Sequence, residues 1–146
     1  LRTGAKRVYS IDVGYGQLDY KLRNDYRVIN MENTNARYIS TDFIDLHHDI
    51  IVMDVSFISI TKFGDFFKKF TTNNNEYVGL IKPQFELSKE KIGKNGVVKN
   101  SQYRHEAVGN VSLFLKNFYN FVSKTIESPI KGSKGNTEYL IYCRNS

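Results

Sequence analysis

EYVGLIKPQFE, residues 76–86, decides how this chain is read. Tyr77 to Ile81 carry no polar group beyond the Tyr77 hydroxyl, and Lys82 and Pro83 then end the run. A short apolar run of this kind marks a strand covered on both faces by helices. Similar strand-type runs recur outward from it, at DIIVMDV (49–55), RVINME (27–32) and RVYSIDV (7–13) upstream, and at TIESPIK (125–131) and TEYLIYC (137–143) downstream. Helical candidates fall between them. QLDYKLRN (17–24) is short, and TKFGDFFKKF (61–70) sets Phe63, Phe66, Phe67 and Phe70 on one face. Segment 102–123 is the longest, with Val108, Val111, Phe114, Leu115, Phe118, Phe121 and Val122 at helical spacing, the stripe of a core-facing helix. Strand–helix alternation with a final strand pair reads as a doubly wound α/β sheet whose last hairpin can run antiparallel.

The bulk properties narrow the class. A length of 146 residues suits one domain with its own core, and 40% hydrophobic residues make it globular. No run of 18 apolar residues occurs, so no membrane span is expected. The start, LRTGAKRVYSID, has no apolar core of a signal peptide. Cys143 is the single cysteine, which rules out an internal disulfide and a cysteine-based zinc cluster and fits a reducing, cytoplasmic setting. Twenty-one basic against fifteen acidic residues suit a polyanionic partner without singling one out. LRTGAK reads as the tail of a helix with Gly4 just past its end, so an upstream strand and helix are expected to be missing.

Three side chains end or open strand-type runs. Asp54 follows DIIVM, Lys82 closes EYVGLI, and Glu138 opens the last run in GNTEYL. If those strands share one sheet, two acids and a lysine gather at a single rim, where a lysine flanked by carboxylates can take a proton from a hydroxyl. Each also has an ordinary role available: a turn aspartate, a surface lysine, an edge-strand charge. A lysine at the end of an apolar strand is costly unless paired, so a carboxylate neighbour is expected, and Pro83 is expected to keep a helix from starting there.

Asp12 ends the first run and precedes Gly14 and Gly16. Either this is a glycine loop with Glu32 as the ribose-binding acid, or Asp12 is that acid and the loop lies upstream, or this is an ordinary strand–turn–helix; of the first two, the absent third glycine and the helix-like tail before the strand favour the second. FTTNNNEY (70–77) reads as a polar surface turn, and His47, His48 and Asp49 as a loop rather than a metal clamp. PQFELSKEKIGKNGVVKNS (83–101) reads as a long loop, either a mobile lid or RNA contact or simply solvated. Segment 82–104 sets Lys82, Lys89, Lys91, Lys94, Lys99 and Arg104 against Glu86 and Glu90, a balance that attracts phosphates. Phe85 or Tyr103 could stack on an unpaired base.

With these residues in place, the sequence resembles the FtsJ-like methyltransferase domain of the hemolysin A (TlyA) family. The resemblance runs over essentially the whole chain, through GAKRVYSIDVGYGQLDYKLRND, DVSFISI, LIKPQFE with GKNGVV, and SPIKGSKGNTEYL. It implies a Rossmann-like class I sheet with flanking helices, S-adenosylmethionine as cofactor, and 2′-O-methylation of ribosomal RNA, with ribosomal RNA or a ribosomal subunit as partner and no membrane insertion. Of the family's lysine–aspartate–lysine–glutamate set, Asp54, Lys82 and Glu138 match by motif. The resemblance also implies that residues 1–146 are a partial domain, without the first strand and helix, the cofactor glycine loop, the first catalytic lysine or an S4-type RNA-binding domain, and so inactive alone. Membrane activity, suggested by the hemolysin name, and non-catalytic RNA binding are the competing expectations.

Overall fold

The computed structural model describes residues 1–145, which form two compact units, Leu1–Asp45 and the chain from Leu46 onward. In the first, β1 (Val8–Ile11) pairs in parallel with β2 (Val28–Met31), in register from Val8↔Val28 to Ile11↔Met31. The link between them holds α1 (Tyr20–Arg23), whose N-terminus is closed by the Asp19 side chain accepting from the Lys21 amide. Asp25 then grips Arg27 through both carboxyl oxygens, at 2.9 and 2.7 Å. Those hydrogen bonds hold the Asp25 carboxyl down at about 2.

The second unit carries β3 (Ile50–Met53), α2 (Gly64–Phe70), β4 (Glu76–Ile81), α3 (Pro83–Glu86), α4 (Ser101–Leu115), β5 (Phe121–Val122), β6 (Ile126–Glu127) and β7 (Tyr139–Arg144). Its sheet runs β3-β4-β7-β5, with β6 also on β7. β3 and β4 are parallel, whereas β7 is antiparallel to β4, β5 and β6, the arrangement expected of the last strand. Tyr77 and Ile81 of β4, Ile141 and Cys143 of β7, and Ile51 and Met53 of β3 are buried. Helix α4 packs on β4 and β7 and buries Ala107, Val111 and Leu115, spaced four apart on one stripe. Phe67 of α2 is fully buried, its ring centroid 5.2 to 6.3 Å from those of Phe66, Tyr77, Phe114, Phe118 and Tyr119. Burying such a ring contributes about 1.5–3 kcal/mol.

Four expectations need correction. The helix expected over 102–123 stops at Leu115, because Phe121 and Val122 leave it to pair with Arg144 and Cys143. Phe118 and Tyr119 reach the same aromatic cluster from the turn, so the apolar pattern outlasts the helix. The run 125–131 yields a two-residue strand only. The turn 70–77 is not wholly a surface feature, since Asn75 is fully buried, donates to the Phe70 carbonyl at 2.6 Å and accepts from the Thr72 amide. Finally, a helical turn does start at Pro83. Proline restricts the residue before it, and Lys82 is accordingly extended, but proline itself suits the first helical position.

Candidate active site

The strand directions bring three of the expected residues to one edge. Parallel β3 and β4 present their carboxyl ends there, and antiparallel β7 presents its amino end, with Met53↔Gly79 and Ile81↔Tyr139 as the last pairs. Asp54 lies one residue past β3, Lys82 one past β4, and Glu138 one before β7. Lys82 Nζ is 2.6 Å from Asp54 Oδ1 and donates to Ser56 Oγ at 2.8 Å. The lysine side chain is 14% exposed and the aspartate 63%, so the amine is enclosed while its partner faces solvent. Glu138 is buried, and its Oε1 accepts from Gln84 Nε2 at 2.9 Å. Among the described residues the ammonium therefore pairs with one acid, while the second lies elsewhere in the same cleft, held by an amide.

That cleft measures about 900 Å³, and Asp54, Ser56, Lys82, Gln84 and Glu138 all line it. The size suits a small-molecule or nucleotide site. Two aromatic rings join the lining, Phe57 and Phe85, with centroids 4.9 Å apart. Phe57 is 90% exposed and holds φ at +62°, a left-handed conformation that is strained for a bulky residue and concentrates at functional sites. Across the cleft, Gly132 lies against Glu138 so closely that a Cβ would overlap the carboxyl group.

Asp12 and Glu32 sit side by side in the first unit, one residue beyond the paired ends of β1 and β2. Asp12 Oδ1 accepts from the Gly14 amide at 2.7 Å. Glu32 Oε1 accepts from the Gly16 amide at 2.9 Å and is ion-paired with Arg23. Both acids line a pocket of about 100 Å³ with Asn30, whose buried Oδ1 has no partner. Those acceptors fit the hydroxyl edge of a ribose, whose O–H groups would donate to them, and the volume is too small for a whole nucleoside. Both acids hold a glycine amide of this turn, and Glu32 is in addition tied to Arg23.

The segment 83–101 is folded rather than loose. After α3 and a 3-10 turn (Lys89–Lys91), Asn136 pins its far end, accepting from the Val98 amide at 3.0 Å and donating to the Gly96 carbonyl at 2.9 Å. Arg104 donates to the carbonyls of Val98 and Lys99, and Lys91 is ion-paired with Glu106 and lies over the Tyr103 ring. With Lys82 on Asp54, three of the six basic residues are thus engaged internally. Ser56, Gln84, Glu86, Gly132 and Asn136 were not singled out from sequence. All five lie inside the quoted motifs, but the roles of Gln84 and Glu86 depend on which way the four-residue turn α3 faces, those of Ser56 and Asn136 on partners far along the chain, and that of Gly132 on its approach to Glu138.

A mixed sheet with flanking helices and a polar rim at the ends of its central strands is an α/β architecture. The chain belongs to the FtsJ-like methyltransferase family, whose model matches residues 1–145. It is 45% identical over 97% of its length to Hemolysin A of Brachyspira hyodysenteriae, of which it covers 60%. It is 38% identical over 99% of its length to the 16S/23S rRNA (cytidine-2′-O)-methyltransferase TlyA of Mycobacterium tuberculosis, covering 54% of that protein. A solved structure described as a candidate hemolysin from Streptococcus thermophilus superposes with a TM-score of 0.90 at 36% identity, over 99% of this chain and 53% of the other. The chain therefore spans about half to three-fifths of the length of these relatives.

Proposed function

We propose that this protein methylates the ribose 2′-oxygen of ribosomal RNA, with Lys82, Asp54 and Glu138 as its catalytic residues. The observation that carries this reading is the enclosed Lys82 ammonium held by Asp54 in a cleft that Glu138 also lines. Three relatives of the chain, two of them from strains of one species, bear the names of rRNA 2′-O-methyltransferases. S-adenosylmethionine, when bound, supplies a methyl group on a sulfonium. Lys82 would accept the proton of the 2′-hydroxyl only after its ammonium has given up one of its own, Asp54 would fix the orientation of the amine, and Glu138 would hold the ribose. Methyl transfer needs little covalent help, so positioning supplies much of the rate. Asp12 holds cofactor ribose hydroxyls, which its place at a strand end beside Glu32 and Asn30 supports. Phe57 and Phe85 offer ring faces to an unpaired base, a sequence-tolerant contact.

No described helix is long and apolar enough to cross a membrane. The test is transfer of labelled methyl from S-adenosylmethionine to ribosomal RNA by the full-length protein, followed by nucleoside mass spectrometry. Label on 2′-O-methylated nucleosides supports the reading. RNA bound without methyl transfer, label on a base, or liposome leakage by lipid-free protein with no transfer would overturn it.

A further inference from the structure

Glu86 lies outside the set assigned above, four residues beyond Lys82 at the far end of the same helical turn, α3. Its side chain crosses to the other motif, with Oε2 accepting from the Ser59 hydroxyl and Oε1 from the Ile60 amide at 2.9 Å. The carboxyl is mostly buried, which pushes it above the ordinary range, and these two bonds pull it back. Ser59 caps the 3-10 helix Ile60–Phe63 with its own hydroxyl on the Thr61 amide, and Ile60 and Phe63 are buried. The helix end thus already has its usual local cap. Glu86 adds a second fastening, from 26 residues away in the chain.

The segment between is the one that matters. Residues 54–60 leave β3 with Asp54 and Ser56 fastened to Lys82, pass through Phe57 at φ +62°, and end at the Glu86 fastening. A bulky residue in the left-handed region persists only where its flanks are held. This loop is therefore gripped twice, by Lys82 just before α3 and by Glu86 at its end, while Gln84 between them holds Glu138.

We propose that Glu86 is a positioning residue for methyl transfer: by bridging Ser59 and Ile60 it sets the Asp54–Phe57 loop, and with it the lysine–aspartate pair, at the cleft. The proposal rests on the function inferred above, so its test needs one arm that does not read activity. In the full-length protein, Glu86→Ala should speed amide hydrogen exchange at Ile60 roughly tenfold or more while β7 exchanges as in the wild type. The same variant should lower kcat by roughly ten- to a hundredfold with KM for cofactor little changed. Glu86→Gln, which keeps an acceptor for Ile60 and a polar partner for Ser59, should restore most of both. Should Glu86→Ala fail to fold, Ser59→Ala removes one of the two bonds together with the cap on the Thr61 amide and should shift kcat in the same direction. Wild-type exchange at Ile60 in Glu86→Ala, or a kcat within twofold of wild type, overturns the positioning role. So does a loss of kcat that Glu86→Gln does not rescue. If the wild-type protein transfers no methyl group, the proposed function fails; Ile60 exchange still decides the fastening, and positioning for that reaction is overturned with it.

Discussion

Gly132→Ala isolates the geometry of Glu138. Gly132 has φ −72° and ψ −175°, ordinary extended backbone, so alanine introduces no backbone strain. Its methyl group, however, would overlap Glu138 Oε1 and the carboxyl carbon, and the buried carboxyl must swing away. That movement breaks the 2.9 Å bond from Gln84 Nε2. Gln84 Oε1 already lacks a partner, so the buried amide is left with none at either end. Losing a bond to a buried carboxylate costs about 1.5–3 kcal/mol. For a chain of this size that lowers the melting temperature by roughly 5–10 °C. If Glu138 holds the ribose, methyl transfer falls about tenfold or more in the same variant, since about 1.4 kcal/mol at the transition state is tenfold. The assay pairs thermal unfolding with labelled methyl transfer by the full-length protein. A double-mutant cycle with Gln84→Ala adds a further check, because the stability cost of Gly132→Ala should shrink once the amide is gone. Unchanged melting and transfer within twofold of wild type would refute this reasoning.

Other outcomes follow from the same contacts. Gly109 lies exposed in the middle of α4 with nothing within 4 Å of a built Cβ, so Gly109→Ala should stabilise by about 0.5–1 kcal/mol in urea titration. Burial raises the Glu86 carboxyl above the usual 4.5, so its contribution to stability is full below that value and is lost as pH rises through the folded-state value. The wild type should therefore gain stability relative to Glu86→Gln as pH falls from neutrality to about 4, and a flat difference would contradict the shift. Desolvation pushes the buried Cys143 thiol up to about 12, so iodoacetamide at mildly alkaline pH should label it only after the protein unfolds.

Much of the sheet was legible because β4 and β7 are apolar runs ended by residues that do not continue a strand. The meeting of Asp54 with Lys82 was legible too, since an amine ending a buried strand demands a carboxylate. What escaped sequence reading shares a cause. The apolar pattern past Leu115 is equally a helix stripe or the edge of an aromatic cluster, and only the pairing of Phe121 and Val122 with β7 decides it. Asn75 reads as a surface residue in a run of asparagines, yet its amide satisfies backbone groups inside the core. Gln84 and Glu86 look like ordinary loop polarity until Pro83 is placed at the first helical position, which fixes where their side chains point. Asp12 and Glu32 each hold a glycine amide, and the ion pair with Arg23 that Glu32 alone makes is a partner that strand-end spacing does not reveal.

Lys82 offers the most direct measurement. Single-turnover methyl transfer by the full-length protein carrying Lys82→Ala, with cofactor affinity measured by calorimetry on the same sample, separates the amine's chemistry from binding. Transfer reduced by roughly a thousandfold, with cofactor affinity within a few-fold of wild type, is the expected result for a residue acting on the hydroxyl proton. Transfer at the wild-type rate would contradict the account.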